Sequence, residues 1–370
     1  MLKIADGLDV QTITQPVLGQ FHHAHCSGIV AFDDGELLAV YYHAIKEANR
    51  KQAIFGVRKK PGETSWSAPF LVSKDKVNRM EGNPVIWIAP DTKKLWLFYV
   101  TSPGGWAVCT PRFKISENRG QSWSKSTKIY WLFSRGLKNP PILTLKGWYI
   151  LPAYVEFRDY FGVFFISQDH GKTWFQSKSR VGLPAEITPS NFKWGRLVLQ
   201  PTVIERRDGS LWALMRAKRP LGKMYQTESF DGGLTWTAAT PSNLPNPGGG
   251  FHMMRLQSGN LGVIYNHAPA EPLNLLERNP LSVAISDDDG KTWKWRRNLC
   301  EYHRENQDNA TAFHHTFGYP TMCQGPDGLI HATWSFPHPV KENTTRFNIT
   351  DIQYTCFTEE IGRASWRESV

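Results

Sequence analysis

Four times along this 370-residue chain the pattern Ser-x-Asp-x-Gly-x-x-Trp recurs, once with Asn in place of Asp. The copies are Ser116-Glu-Asn118-Arg-Gly120-Gln-Ser-Trp123, Ser167-Gln-Asp169-His-Gly171-Lys-Thr-Trp174, Ser229-Phe-Asp231-Gly-Gly233-Leu-Thr-Trp236 and Ser286-Asp-Asp288-Asp-Gly290-Lys-Thr-Trp293. The pattern encodes a tight hairpin: the Asp side chain accepts turn N–H groups, Gly supplies a positive φ, and Trp packs between neighbouring sheets. The role is structural, and these acidic residues carry no chemistry. A fifth, degenerate copy keeps only Trp66. The five tryptophans stand 57, 51, 62 and 57 residues apart, and 77 residues follow the last. Each interval matches one four-stranded blade with its loops, and the remainder leaves room for another.

A second repeat supplies the count. Apolar strand, polar turn and apolar strand recur at Gly28–Gly35 and Leu37–Tyr42, Pro84–Pro90 and Leu95–Val100, and Pro141–Lys146 and Trp148–Val155. The pattern continues at Pro201–Gly209 and Leu211–Arg216, Met253–Gly259 and Leu261–Asn266, and Pro320–Gly328 and Leu329–Phe336. Six units predict an all-β, six-bladed β-propeller with four-stranded antiparallel blades, one domain over residues 1–360. The blades fall near 22–70, 80–128, 138–180, 198–242, 250–298 and 314–358, with an N-terminal segment before them. Residues 361–370 fit no blade and read as a non-native tail.

In an antiparallel blade the turns joining strands one and two and strands three and four share a rim, so the boxes mark the bottom. The opposite rim gathers the first-strand starts His25, Asn83, Asn139, Gln200, His252 and Tyr319, and the second-strand ends His43, Tyr99, Tyr154, Arg216, Asn266 and Trp334. Polar and aromatic side chains converging at one mouth suit a sugar pocket. The blander reading is a channel mouth that binds only water.

Composition narrows the partners. A formal net charge of +10 favours anionic ligands, but the basic residues are scattered and no nucleic-acid motif occurs. No long uncharged apolar run predicts a membrane span, and no signal peptide is visible, which points to the cytoplasm only weakly. Sequons at Asn309, Asn343 and Asn348 matter only in a secreting eukaryote. The five cysteines, Cys26, Cys109, Cys300, Cys323 and Cys356, include no close pair, which argues against a disulfide framework or a thiolate zinc site. His22, His23 and His25, with His314 and His315, lack carboxylate partners at metal-site spacing, so neither metal nor other cofactor is expected. Trp131, Trp148 and Trp194 are expected to pack between blades.

Over about residues 15–358 the chain resembles the sialidase superfamily, in its bacterial branch of proteins carrying this box. Gln200 to Arg216, followed by the box at Ser229, resembles the segment bearing one member of that family's arginine triad, matched here by Arg216. Glu277-Arg278-Asn-Pro-Leu-Ser-Val-Ala-Ile-Ser286 is similar to the segment bearing another, Arg278. Gly318-Tyr319-Pro-Thr-Met-Cys-Gln-Gly-Pro-Asp-Gly resembles the stretch with the catalytic tyrosine, Tyr319. Three departures stand against the pattern. The first arginine's place reads Phe21-His-His-Ala-His25, and the tyrosine-activating glutamate is replaced by Gln200, which cannot accept a proton. The loop after Tyr42 offers Glu47 and His43 where the family has its Asp acid/base.

The resemblance implies an exo-acting glycosidase on an acidic or sialylated glycan. Arg216 and Arg278 would bind the sugar's carboxylate, Tyr319 would be the nucleophile, and Glu47 would protonate the leaving oxygen. A neutral phenol avoids the repulsion a carboxylate nucleophile would meet, and sialidases are a recognised exception to the two-carboxylate pattern. His25 or His252 would take the phenol proton. Asn83, Asn139, Asn266 and His43 are candidate substrate contacts. Two alternatives remain open: a lyase acting on uronic-acid glycans, which the histidine-rich mouth suits, and a non-catalytic glycan-binding propeller.

Overall fold

The computed structural model describes residues 2–15, 23–44, 50–184, 197–218, 221–268, 278–302, 317–338 and 349–362. Glu47, His22, His314, His315, Trp194, the three sequons and residues 363–370 lie outside the described residues.

In each complete box the serine hydroxyl accepts the glycine N–H four residues on, at 2.7–2.9 Å, and donates to the Asp or Asn between them at 2.7–2.9 Å. The same Asp or Asn oxygen accepts the N–H of the residue before Trp at 2.9 Å. Gly120, Gly171, Gly233 and Gly290 have φ of 82°, 83°, 92° and 85°, a region in which a Cβ is penalised. The turn carries its tryptophan onto the preceding sheet at Trp174 and Trp236, and Trp66, which lacks a complete box, packs within its own eight-stranded sheet. Trp174 lies edge-on to Phe98 at 5.9 Å between ring centroids, Trp236 stacks on Phe164 at 3.7 Å, and Trp66 meets Tyr354 edge-on at 5.0 Å. The backbone comes equally close: a Cβ on Gly171 would stand 2.3 Å from Trp96, and one on Gly290 2.5 Å from Trp212.

The described residues form an all-β propeller arrangement. Two sheets are plain four-stranded meanders: Met80–Ile88, Leu95–Ser102, Thr110–Ser116 and Thr127–Lys128, then Val198–Glu205, Leu211–Ala217, Lys223–Ser229 and Thr240–Pro245. A third runs through Tyr149–Glu156, Tyr160–Ser167 and Phe175–Gln176, its first strand split into Gly136–Leu137 and Ile142–Leu143. The fourth comprises His252–Arg255, Leu261–Asn266, Leu281–Ser286 and Trp295–Tyr302, with Leu2–Ile4 added at its edge. An eight-stranded sheet joins Gly318–Gln324, Ile330–His338 and Ile349–Phe357 to His23–Ala31, Leu37–Ala44, Ala53–Lys59 and Phe70–Ser73, with Gln11–Thr12 beside Ile349–Phe357. The core lies between sheets, as where Val85 and Phe98 meet Leu151 and Val163.

The inner strands break register at the mouth opposite the boxes. Ladder shifts fall between His25 and Gly28, Gly82 and Val85, Leu199 and Thr202, and Gly318 and Thr321. Inside them Cys26, Asn83, Gln200 and Tyr319 take positive φ of 57°, 47°, 53° and 51°. Proline follows the last three, and its missing N–H cannot serve the ladder, which favours a bulge there. The predicted strand starts Asn83, Gln200 and Tyr319 are therefore bulge residues, and Cys26, not His25, occupies the matching place in its strand.

The core tryptophans and the boxes give the stability predictions. Trp236 is 8% exposed, and Trp236→Ala is expected to cost about 3–5 kcal/mol in chemical denaturation. Partial burial would raise Asp288, but hydrogen bonds from Thr292 and Ser286 prevail and hold it at about 2. A carboxyl lowered on folding stabilises above its unfolded value near 3.9 and loses that contribution as pH falls toward 2. Asp288→Asn, imitating Asn118, should flatten the stability profile across that window.

Candidate functional site

Two cavities lie along the propeller. The larger, about 600 Å³, is lined by Ile29, Ile86, Ile142, Val203, Met254 and Met322 among others, and carries Arg206, Arg207 and Arg255 toward the box side. Its lining is mostly apolar. The smaller, about 120 Å³, opens at the opposite mouth and is lined by His25, Tyr42, Asn83, Trp106, Tyr154, Glu156, Leu199, Gln200, Arg216 and Tyr319. The chemistry converges in this smaller pocket.

Its centre is the Tyr319 hydroxyl. Arg216 Nη1 donates to it at 3.1 Å and to Gln200 Oε1 at 3.1 Å, while Gln200 Nε2 donates to the same phenol oxygen at 3.2 Å. The left-handed bulges at Gln200 and Tyr319 place these two side chains face to face across the mouth. The Arg216 and Arg278 guanidinium carbons lie 5.9 and 5.4 Å from the Tyr319 ring centroid. Gly318 lies beside both: a Cβ there would stand in ordinary contact with His25 at 3.4 Å and Arg278 at 3.6 Å. Arg216 Nε is buried without a hydrogen-bond partner among the described residues. A buried, unsatisfied donor on a cation is a place for an anion.

His25 packs edge-on against Tyr319 with ring centroids 4.6 Å apart, and its Nδ1 has no partner among the described residues. Enclosure, then the positive fields of His23, Arg278, Lys138 and Arg216, hold His25 well below the ordinary imidazole value. The ring is neutral at pH 7, with a lone pair less basic than that of an exposed imidazole. Lys138 lies beneath, donating to Pro320 O at 2.7 Å and Asn139 Oδ1 at 3.2 Å; burial pushes its ammonium down to about 8. The buried Tyr154 hydroxyl accepts from Asn83 Nδ2 at 3.2 Å, and burial, then Glu156 and Tyr319, raise it well above the phenol range.

Other predicted site residues are placed differently. Asn139 donates to Pro201 O at 2.9 Å and Asn266 to Arg278 O at 2.8 Å and Phe317 O at 3.0 Å, so both brace the backbone that carries the pocket. His43 is buried, edge-on to Phe55 at 5.8 Å, while its neighbour Tyr42 faces the pocket. His252 accepts the Met322 N–H at 3.2 Å at the inner end of the apolar cavity, away from the pocket lining. Glu156 was missed by the sequence reading although it lies two residues beyond Tyr154 on the same strand face, which is signal enough in an alternating strand. Trp148 packs on the Gly232 turn, as expected of a tryptophan between sheets. Trp131 departs from that expectation and is 77% exposed. No group of three or more His, Cys, Asp or Glu able to hold a metal occurs among the described residues, and no helix among them is long and apolar enough to cross a membrane.

The described residues thus form an all-β propeller arrangement with Tyr319, His25, Arg216 and Arg278 close together at one mouth. Residues 35–332 match the family model described as BNR repeat-like domain, and the chain belongs to that family. A comparison with curated proteins gives no match. Among solved structures, a protein of unknown function from Dyadobacter fermentans is similar at a TM-score of 0.69 and 15% identity, over 96% of this chain and 98% of that one. The intramolecular trans-sialidase from Ruminococcus gnavus is similar at 0.66 and 14%, over 93% and 96%. A Hadza microbial sialidase gives 0.67 and 15%, over 91% of this chain and 66% of that one. At these identities the likeness is one of fold.

A pH prediction follows from the buried imidazoles. Burial, then Lys138, lowers His252 to about 3. A histidine lowered on folding stabilises fully above its unfolded value near 6.5 and loses that contribution as pH falls toward 3. His252→Asn removes the titration and keeps an acceptor for Met322 N–H. Unfolding free energies at pH 7 and 5 should differ less in the variant than in the parent chain; equal differences would refute the assignment.

Proposed function

We propose that the protein is an exo-acting, sialidase-like glycoside hydrolase that releases a terminal carboxylated sugar from a glycan, on one six-bladed propeller spanning residues 1–360. The blade count is supported by six apolar clusters, each drawing on two successive meanders, and by a central cavity lined by inner strands throughout the chain. The eight-stranded sheet then comprises two blades, joined where Thr350 pairs parallel to His23.

The observation that carries the functional reading is the Tyr319 hydroxyl, held by Arg216 and Gln200 and flanked by neutral His25. In this reading the carboxylate lies against Arg216 and Arg278, with Arg216 Nε as a waiting donor. The Tyr319 oxygen attacks the anomeric carbon as the bond to the leaving oxygen breaks. His25 takes the phenol proton, and Glu156, which lines the pocket, acts in its carboxylic acid form, giving its proton to the leaving oxygen and becoming the carboxylate that later takes a proton from the attacking water. Water then cleaves the tyrosyl glycoside. Arg216 and Gln200 hold the phenol oxygen as negative charge develops on it, which is why a glutamine serves in that place without accepting a proton. Asn83, Asn139 and Asn266 support the pocket, and Glu47 remains a second candidate acid.

Elimination on a uronic-acid glycan is a second reading, favoured by a specific observation: Tyr319 is paired with a neutral histidine and with an amide, and no carboxylate contacts it among the described residues.

Fluorogenic α-sialosides and uronic-acid oligosaccharides test both. Hydrolysis is expected to fall about a thousandfold in Tyr319→Phe and by roughly 10²–10⁴ in His25→Ala. A product with a new conjugated double bond would replace hydrolysis by elimination. Glycan retained unchanged by an inactive protein would replace both by a binding-only propeller.

A further inference from the structure

Three aromatic side chains stand in solvent on the pocket side of the molecule, where neither the fold nor the reaction uses them. Trp131 is 77% exposed, Phe133 51% and Phe157 39%. Trp131 and Phe133 lie in the loop between Thr127–Lys128 and Gly136–Leu137, and Phe157 lies in the turn between Tyr149–Glu156 and Tyr160–Ser167. Both connections are on the mouth opposite the boxes. Phe133 and Phe157 meet edge-on with ring centroids 5.8 Å apart.

The cluster is anchored and adjoins the pocket. Phe157 directly follows the pocket residue Glu156, whose N–H donates to Ser134 Oγ at 3.4 Å, tying the turn to the loop. Arg135 donates from Nε to Gln176 Oε1 at 2.7 Å, and Tyr130, beside Trp131 at 6.1 Å, rests against Phe165 at 5.4 Å. Cations are interleaved: Arg158 lies over Phe157 at 5.4 Å and Arg135 over Tyr130 at 5.5 Å. Aromatic surface kept in water is unfavourable and marks a binding surface when it is contiguous. The pocket of about 120 Å³ is smaller than the roughly 300–1,000 Å³ of sites that enclose a small ligand. A glycan whose end enters it must lie largely outside.

We infer that Phe133, Phe157 and Trp131 form a stacking platform for the sugar residues that follow the terminal one, so that the site is built for an oligosaccharide chain and not for a free acidic monosaccharide. The inference rests on the pocket reading above and adds to it the class of substrate. Flat aromatic rings meet the apolar C–H faces of pyranoses, while Arg158 and Arg135 favour a negatively charged chain.

The test compares the affinities of 3′-sialyllactose and of the methyl α-glycoside of the same sialic acid by titration calorimetry. The parent is the full chain carrying Tyr319→Phe, so that neither probe is turned over, and it is compared with the same chain bearing Trp131→Ala/Phe133→Ala or Arg216→Met, with light scattering alongside. The trisaccharide is expected to bind the parent chain about 5–30-fold more tightly than the methyl glycoside, at roughly 2–10-fold per ring contacted. The double variant should lose that advantage while its affinity for the methyl glycoside is unchanged. Affinities for both probes that are unchanged in Arg216→Met, with the trisaccharide advantage lost in the double variant, support the platform and count against the pocket reading. Equal affinity for both probes in the parent chain overturns the platform and leaves the pocket standing. A dimer that dissociates in the double variant, with no change in glycan affinity, overturns it in favour of contact with a second copy.

Discussion

A serine hydroxyl that accepts a glycine N–H while donating to a nearby Asp or Asn closes each box, and much of the architecture depends on that small circuit. It satisfies turn groups that would otherwise need water, and it brings glycine backbone against the tryptophan of the preceding sheet. Contact between sheets is therefore set at the turn as much as in the strands. Where the circuit is complete, an aromatic is delivered to the neighbouring sheet; at Trp66, where it is absent, the tryptophan still reaches Tyr354.

The opposite mouth is built by interrupting regular pairing. Proline after Asn83, Gln200 and Tyr319 removes a ladder donor, and the bulge turns the preceding side chain toward the centre in a left-handed conformation that costs free energy outside glycine. Neighbouring backbone fixes these positions: Asn139 holds Pro201 O, and Lys138 holds Pro320 O. Strain and bracing together give a pocket whose polar groups face one another before any ligand arrives, which is the preorganisation electrostatic catalysis requires.

The fold was legible because its signals are local and repeated, with turn residues at fixed offsets and alternating apolar runs. The site was legible where a side chain's direction follows from the bulge, as for Gln200 and Tyr319, and where the strand end points inward, as for Arg216. It was less legible where tertiary packing chose between adjacent residues. Tyr42 and His43 are equally plausible by position, yet one lines the pocket and the other packs on Phe55. His252 begins an inner strand without a bulge, and its ring is taken by Met322 N–H. Glu156 could have been found by carrying the alternation two residues past Tyr154. Exposure of Trp131 could not, because a tryptophan in a loop carries no periodicity to say which way it faces.

The N-terminal strands bear on how the chain comes to be assembled. Leu2–Ile4 pairs with Trp295–Tyr302 and Gln11–Thr12 with Ile349–Phe357, and Thr14 Oγ1 donates to Asp351 at 2.6 Å. Strands that come early among the described residues are thus partnered by strands that come late. During synthesis these strands wait with unpaired edges while the sheets between them emerge, and Tyr319 cannot be set beside His25 until the later sheets join the earlier ones. The nascent protein passes through an interval in which the intervening sheets can form but the pocket around Tyr319 cannot, and in which an early strand edge is open to pairing with other chains.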